Sequence, residues 1–463
     1  MNYDAIVIGA GQAGVPLASA LAKAGKKTLM IEREHIGGTC VNEGCTPTKT
    51  MITSGRIAYL NRRGPNYGIH SGASLTVDME RVRQRKRDIV VSFRTGNESR
   101  LMSAGVDCIM GEASFSDPKT VRIKMQDGSE GKSVTADLIF INTGERPAIP
   151  KLPGIESVPV LTSTSIMELD VVPEHLIVMG GGYIGMEFGQ LFRRLGAAVT
   201  IVQRGKQLLP REDPDIAAEV LKIVKEDGIT VLLETSPTEA SKDEKGAIKL
   251  VVSRPNGTET ITGSHLLAAA GRTANTDMLN LSAAGVSLGP RGTIPVSPSL
   301  ETNVPGIYAM GDVKGGPAFT HISYDDFRIV QANVLDTPTF GNPTTTNRLV
   351  PYTVFMDPQL GHVGLHEREA REMGKKIKVA TMPMTYVARA LEVDETRGMM
   401  KAVVDAETDL ILGYTILGLE GGEIMSIMQM AIMGGLKWMV LRDAVFAHPT
   451  IAEGLNNLWS SLR

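Results

Sequence analysis

Cysteine is scarce in this chain: three residues in 463. So few rule out a disulfide framework as the source of stability. Long apolar runs are missing too; none approaches the roughly 18 residues that a membrane span needs. The N-terminus, Met1-Asn2-Tyr3-Asp4, has no basic stretch before its apolar run, unlike a secretory signal. Cytoplasm is therefore the expected location, and no membrane is expected as partner. Aromatics make up only 5%, which argues against stacking platforms for bases. A net charge of -3 gives nucleic acid no electrostatic footing. What remains is an ordinary globular composition, 42% apolar and 21% charged. The length suggests about three domains.

Asp4-Ala5-Ile6-Val7-Ile8-Gly9 reads as a short buried strand, followed by a Gly-rich turn and an Ala/Leu helix to about Lys23. Lys27 to Glu32 reads as the next strand, completing a βαβ unit. The turn is Gly9-Ala10-Gly11-Gln12-Ala13-Gly14. Its glycines allow a tight bend and close approach of backbone to a pyrophosphate at a helix N-terminus. Glu32 ends the following strand, where an acid can hold a ribose hydroxyl. The pattern returns about 170 residues later. His175 to Met179 is a strand, Gly180-Gly181-Gly182-Tyr183-Ile184-Gly185 a turn, Met186 to Leu195 a helix, and Ala198 to Val202 a strand. Here no acid ends the strand; Val202-Gln203-Arg204 does, with Arg211 seven residues on. Two arginines suit a 2′-phosphate, which favours NADPH, with NADH as the alternative. Two dinucleotide sites imply two cofactors and an electron relay between them.

Elsewhere, residues 78–104 read as a helix whose run Arg81-Val82-Arg83-Gln84-Arg85-Lys86-Arg87 is expected to be a solvated face. Residues 118–142 and 247–270 read as strand-rich, with turns at Asp127-Gly128 and Pro255-Asn256-Gly257. Ile377–Pro383, Gly398–Asp405 and Leu412–Leu417 read as strands, and Glu423–Met433 as a Met-rich helix for core or interface packing. Cys108 is expected to be a buried, inert strand residue.

The other two cysteines lie five apart in Gly37-Gly38-Thr39-Cys40-Val41-Asn42-Glu43-Gly44-Cys45-Thr46-Pro47-Thr48-Lys49. On spacing alone they could be part of a metal site, although no CxxC or His cluster supplies further ligands. A helix beginning near Cys45 would favour its thiolate, and a close pair with one activated thiolate suits disulfide exchange.

This stretch resembles the GGTCxNxGCxPxK motif of the flavin-dependent pyridine nucleotide–disulfide reductases, which include dihydrolipoamide dehydrogenase, glutathione reductase and mercuric reductase. The resemblance extends along the chain. Asn142-Thr143-Gly144 resembles the crossover from the FAD domain, and Gly271-Arg272-Thr273-Ala274-Asn275 the GRxPN segment. Thr302 to Asp312 resembles the second FAD motif, ending Gly311-Asp312. His448-Pro449-Thr450-Ile451-Ala452-Glu453 resembles the His–Glu acid/base pair that the partner subunit supplies.

The resemblance implies an α/β fold with two Rossmann-like dinucleotide-binding domains plus a C-terminal α+β dimerisation domain. The FAD domain is expected at 1–146 and 272–342, the NAD(P) domain at 147–271, and the dimerisation domain at 343–463. It implies FAD and NADPH as cofactors, no metal, and a homodimer in which His448 and Glu453 complete the other subunit's site. Cys45 is the thiol facing the flavin and Cys40 the one that meets substrate. Lys49 and Glu187 resemble the ion pair beside the flavin, and Tyr183 the ring over the nicotinamide pocket. Gly9, Gly11, Gly14, Glu32, Gly311 and Asp312 belong to the motifs that resemble FAD-binding ones, and Gly38, Thr39, Ala113, Thr143, Gly144 and Thr320 are expected to bind a cofactor. Gly180, Gly182, Ile184, Gly185, Arg204, Arg211, Gly271 and Arg272 complete the cofactor-binding set.

Phe319 to Val330, Val350 to Met356 and Leu441 to Phe446 resemble a mercuric-reductase-like branch. It includes reductases of hypothiocyanous acid and reactive-chlorine oxidants, with copper(II) reduction also proposed. The chain ends Leu458-Trp459-Ser460-Ser461-Leu462-Arg463, without the vicinal cysteines usual in mercuric reductase. The expected substrate is thus a small oxidant or disulfide. A lipoamide dehydrogenase or glutathione-type reductase is the enzymatic alternative, and a redox sensor or metal-binding flavoprotein the non-enzymatic one.

Overall fold

The computed structural model describes residues 1–70, 75–336, 344–346 and 348–463, which form two compact units. The first comprises Met1–Met51, Glu80–Ala148 and Gly271–Arg348; the second comprises Ile52–Met79, Ile149–Ala270 and Leu349–Arg463. The expected junction at 342/343 lies outside the described residues.

Ala5–Ile8 is buried along its whole length, as a continuous apolar run in a parallel sheet must be. It pairs in parallel with Thr28–Glu32 on one side and Leu138–Ile141 on the other. The sheet has seven strands: Ile307–Ala309, Leu138–Ile141, Ala5–Ile8, Thr28–Glu32, Asp107–Asp117, Thr120–Met125 and Lys132–Thr135. Strand alternation divides its apolar side chains between two cores. Ala5, Val7 and Met30 pack with Leu17, Ala18 and Leu21 of the helix Gly14–Lys23; Ile6, Ile8, Leu29 and Ile31 pack with Phe115, Val121 and Ile139. Ala113 lies in the second core, paired across the ladder with Ile123.

The expected long helix is Met79–Ser103. Its basic run is exposed only in part. Lys86 is buried, and Arg85 Nη1 donates to Thr50 O at 2.8 Å. Reading the run as one solvated face missed that a helix lying on a core must turn one side inward. Cys108 is on a strand, as expected, but it is exposed. It sits second in Asp107–Asp117, before that strand reaches the core, so its alternation begins outside.

In the second unit, a parallel five-stranded sheet runs Thr230–Leu232, Ala198–Val202, His175–Met179, His265–Ala268, Val160–Leu161. A three-stranded meander, Ser236–Lys242, Ile248–Arg254 and Gly257–Gly263, lies in the same chain segment. An antiparallel five-stranded sheet follows: Tyr352–Val354, Gln359–Gly364, Ile411–Gly418, Met399–Asp405, Ile377–Pro383. The helix Gly421–Met433 buries Met425 and Met428 on it and leaves Met430 and Met433 exposed. Among the described residues, no helix is long and apolar enough to cross a membrane.

Candidate active site

In the first unit the turn between Ala5–Ile8 and its helix is built for close approach. Gly9 has φ +99°, and a Cβ on Gly14 would lie 2.2 Å from Gly9 O. The helix N-terminus has no side-chain cap at Ala13. Glu32 does lie at the strand end, but its carboxylate also serves the backbone, accepting from Ala10 N–H and Glu34 N–H at 2.8 Å each. Asn142 joins this turn to the second FAD-like motif. Its Oδ1 accepts from Gly14 N–H at 2.8 Å and its Nδ2 donates to Met310 O at 3.0 Å. Gly311 follows with φ +70°, its N–H held by Asp326 at 2.8 Å. Asp312 is next, its carboxyl raised by burial, against the pull of Arg272 and Lys314. A buried acid beside an uncapped helix end and an open glycine cradle fits a polyhydroxyl, pyrophosphate-bearing group such as FAD.

The two crossover motifs are stitched together. Glu145–Pro147 pairs antiparallel with Arg272–Ala274. Thr143 Oγ1 donates to Asn275 O at 2.8 Å, Asn275 Nδ2 donates to Thr143 O at 2.9 Å, and Asn275 N–H donates to Gly144 O at 2.9 Å. Gly144 takes φ +66°, and Arg272 Nη2 donates to Glu145 O. Gly271 O accepts from Ala148 N–H at 3.0 Å.

The cysteine segment rests directly on the first turn. Gly38, at φ +61°, comes so close that a Cβ there would lie 2.6 Å from Gly11 Cα. Gly37 N–H donates to Ala10 O at 2.9 Å, and Gln12 Nε2 donates to Gly37 O at 3.1 Å. Thr39 and Cys40 lie in the short helix Gly38–Asn42, and Cys45 begins the helix Cys45–Arg63. Both cysteines are thiols. The Cys45 sulfur, within hydrogen-bonding reach, and then burial push the Cys40 thiol up; the hydroxyls of Thr320 and Thr46 oppose this. Cys45 Sγ is 3.3 Å from Thr320 Oγ1, at the start of the helix Thr320–Leu335. Lys49 follows one turn after Cys45.

In the second unit, Gly180 (φ +118°) and Gly185 repeat the cradle; a Cβ on Gly185 would lie 2.0 Å from Gly180 O. A Cβ on Gly182 would meet nothing within 4 Å. The helix starts earlier than expected, at Tyr183, with no side-chain cap at Gly182, so Ile184 is in its first turn. Gln203 Oε1 accepts from Gly181 N–H at 3.0 Å. Arg204 and Arg211 are exposed. Glu187 is buried, accepting from Phe355 N–H at 2.9 Å. His448 Nδ1 lies 2.8 Å from Glu453 Oε2 and 3.1 Å from Oε1, after which a cis peptide leads into Pro449.

Four residues with no individual role assigned from sequence matter here. Asp326, fully buried, holds Gly311 N–H and is matched by Lys314 and Arg348. Tyr352 and His366 surround Glu212. Asp326, Glu212 and His366 stand among other polar residues, Asp325-Asp326, Arg211-Glu212-Asp213 and His366-Glu367-Arg368-Glu369, so the sequence does not distinguish them from surface positions.

Residues 3–326 match the model of a pyridine nucleotide-disulphide oxidoreductase, and residues 350–458 that of a pyridine nucleotide-disulphide oxidoreductase dimerisation domain. The chain is similar to the probable pyridine nucleotide-disulfide oxidoreductase RclA of Escherichia coli K12, 37% identical with all of both chains covered. It is also similar to a mercuric reductase of Bacillus cereus, 37% identical over 98% of this chain and 70% of that protein. Among solved structures it resembles the HOCl-induced flavoprotein disulfide reductase RclA from Escherichia coli in its Cu(II) complex, with TM-score 0.89, 36% identity and 99% of both chains covered.

Proposed function

The chain belongs to the pyridine nucleotide-disulphide oxidoreductase family, and from that premise we propose that it uses NADPH to reduce a small electrophilic oxidant at the Cys40–Cys45 pair. The family's cofactors are FAD and a pyridine nucleotide. FAD, when bound, supplies the transfer of an electron pair between the nucleotide and the cysteines.

The observation that carries the reading is the cysteine pair itself. Cys45 opens a 19-residue helix, and Cys40 is seated on the nucleotide turn through Gly38. At a helix N-terminus the thiolate of Cys45 is favoured. Cys40, pushed up by its neighbour, needs a base. We assign that role to His448, from the partner subunit, with Glu453 fixing its tautomer. Cys40 as thiolate then attacks the oxidant and displaces its leaving group. Cys45 attacks the Cys40 sulfur, releases the reduced product and closes the disulfide.

Gly9, Gly11, Gly14, Glu32, Gly38, Thr39, Thr143, Gly144, Gly311, Asp312 and Thr320 are assigned to FAD, with Lys49 and Glu187 near its reactive ring. The turn Gly180–Gly185, with Tyr183, Arg204 and Arg211, is assigned to NADPH. The corresponding domains are 1–146 with 272–342, 147–271, and 343–463.

The similarity to a reductase described as HOCl-induced, and seen with Cu(II), sets the test panel. NADPH and NADH oxidation is followed with hypothiocyanous acid, Cu²⁺, Hg²⁺, oxidised glutathione and lipoamide. Preference for hypothiocyanous acid supports the reading; efficient turnover of lipoamide alone sinks it. The reduced protein should show a long-wavelength thiolate-to-flavin absorbance that Cys45→Ser removes and Cys40→Ser keeps.

A further inference from the structure

Asp357 serves none of the roles assigned above, yet its backbone and both carboxylate oxygens are all engaged. It is 6% exposed. Oδ1 accepts from Arg56 Nη1 at 2.8 Å, and Oδ2 accepts from Arg194 Nη1. Its N–H donates to Gln190 Oε1 at 2.7 Å, and its carbonyl accepts from Gln190 Nε2 at 2.8 Å and from Arg194 Nη2 at 3.1 Å. All four residues belong to the second unit.

The partners come from two helices. Arg56 is on Cys45–Arg63, whereas Gln190 and Arg194 are on Tyr183–Leu195. The helices pack closely here. A Cβ on Gly55 would lie 2.9 Å from Leu191 Cδ1 and 3.4 Å from Leu191 O. The Arg194 guanidinium carbon sits 3.9 Å from the centre of the Tyr59 ring, and Arg62 Nη1 donates to Arg194 O. Gly55, Arg56, Tyr59 and Arg62 follow the helical period, so one face of the first helix meets the second. Asp357 bridges that seam from a third segment.

The same segment reaches a residue with an assigned role. Two residues before Asp357, Phe355 N–H donates to Glu187 Oε1 at 2.9 Å. Glu187, Gln190 and Arg194 are spaced three and four apart and share a helix face, along which Phe355–Asp357 is laid. Arg194 stands about two turns after Glu187, and Arg56 about two turns after Lys49. Each residue assigned to the flavin's reactive ring is thus followed, on its own helix, by an arginine that grips Asp357.

Stability alone accounts poorly for this arrangement. A buried ion pair does little that packed apolar side chains would not, because taking the charges out of water offsets their attraction. Here the pairing also leaves a donor unused: Arg194 Nε is buried without a hydrogen-bond partner among the described residues. Asp227, 3.6 Å from Arg194, is itself taken up by Arg397 and Gln190. What a carboxylate held between two guanidinium groups adds is direction. Apolar surfaces can slide past each other; this junction admits one register.

We propose that Asp357 is a positioning residue for flavin reduction: through Phe355 N–H it holds the Glu187 carboxylate in register with the helix that Cys45 opens. This rests on the assignment of Glu187 to the flavin's reactive ring.

The test uses the FAD-loaded enzyme as wild type, Asp357→Asn, Arg56→Met, Glu187→Gln, and each of the first two combined with Glu187→Gln. Amide hydrogen exchange reads the geometry without turnover. The Phe355 amide should exchange about tenfold or more faster in Asp357→Asn than in the wild type. Rapid-mixing reduction by NADPH reads the consequence. Asp357→Asn should lower the limiting rate about tenfold or more and change half-saturation less than about twofold. A merely structural residue would slow the Glu187→Gln enzyme by the same factor; a residue acting through Glu187 should leave that enzyme no slower. Arg56→Met removes a partly exposed partner and should show the same pattern to a smaller degree. It carries the test if Asp357→Asn does not fold. In whichever variant folds, unchanged Phe355 exchange, an unchanged limiting rate, or an equal loss in the Glu187→Gln background overturns the inference and leaves the proposed function standing. A wild-type limiting rate in Glu187→Gln removes the assignment on which the inference rests. Flavin that neither NADPH nor NADH reduces overturns the proposed function itself.

Discussion

The Asn142 amide accepts from one glycine-rich segment and donates to another, and both bonds are buried. Removing it leaves Gly14 N–H and Met310 O without partners. Asn142→Ala should cost about 1–3 kcal/mol. Urea unfolding of the FAD-loaded protein would read this directly, and an unchanged midpoint would mean that water replaces both bonds. Glu212 makes a pH-dependent contribution of a different sign from the usual carboxylate. Burial raises its folded value to about 7, above the unfolded one. The folded state therefore holds the proton longer, and this stabilisation is complete below the unfolded pKa and lost as pH rises through the folded one. The order of magnitude is about 3 kcal/mol between about pH 4.5 and 7. Glu212→Gln should flatten that part of the stability–pH curve, as measured by denaturant midpoints at a series of pH values.

The two glycine turns are the elements on which coenzyme binding is proposed to depend, and their glycines are not equivalent. Gly185→Ala would drive a Cβ to 2.0 Å from Gly180 O and should unfold the turn. Gly182→Ala meets nothing within 4 Å and sits at φ -80°. It should leave the melting temperature unchanged, yet raise NADPH half-saturation about tenfold or more if a pyrophosphate lies against that backbone. Normal saturation kinetics in Gly182→Ala would argue that the phosphates bind elsewhere.

These turns were legible in the sequence because a strand–turn–helix with glycine at fixed steps is a local pattern. So were three strands of the C-terminal sheet, Ile377–Pro383, Met399–Asp405 and Ile411–Gly418, as short strand-like runs. The burial of Lys86, the exposure of Cys108 and the Glu212–Tyr352–His366 chain were not. Each depends on which side of an element meets its neighbour, information carried by residues far away in sequence. His366 also caps the helix Glu367–Glu372, where a Ser, Thr or Asp would announce a helix start, so its capping role had no sequence signal.

For the whole molecule, each unit gathers three separate segments, and the place of Ile52–Met79 in the second unit had no local sequence signal. The matched dimerisation domain, residues 350–458, contains His448 and Glu453. If His448 serves the partner's cysteines, a subunit carrying Cys45→Ser and one carrying His448→Ala are each inactive alone but complement when mixed. Random reassortment should restore about a quarter of wild-type activity per subunit, one good site in half of the dimers. No recovery after confirmed subunit exchange would place the acid–base pair in the same chain as its thiols.

The contact of Gly38 on Gly11 has a consequence for how such a protein diverges. With no side chain between the two backbones, the sulfurs are gauged from the nucleotide turn as from a fixed datum. There is no compliant spacer in which a change of substrate could be absorbed. New specificity must therefore be written on surfaces that approach the thiols from outside this segment. The turn and its cysteines form a single, indivisible cartridge.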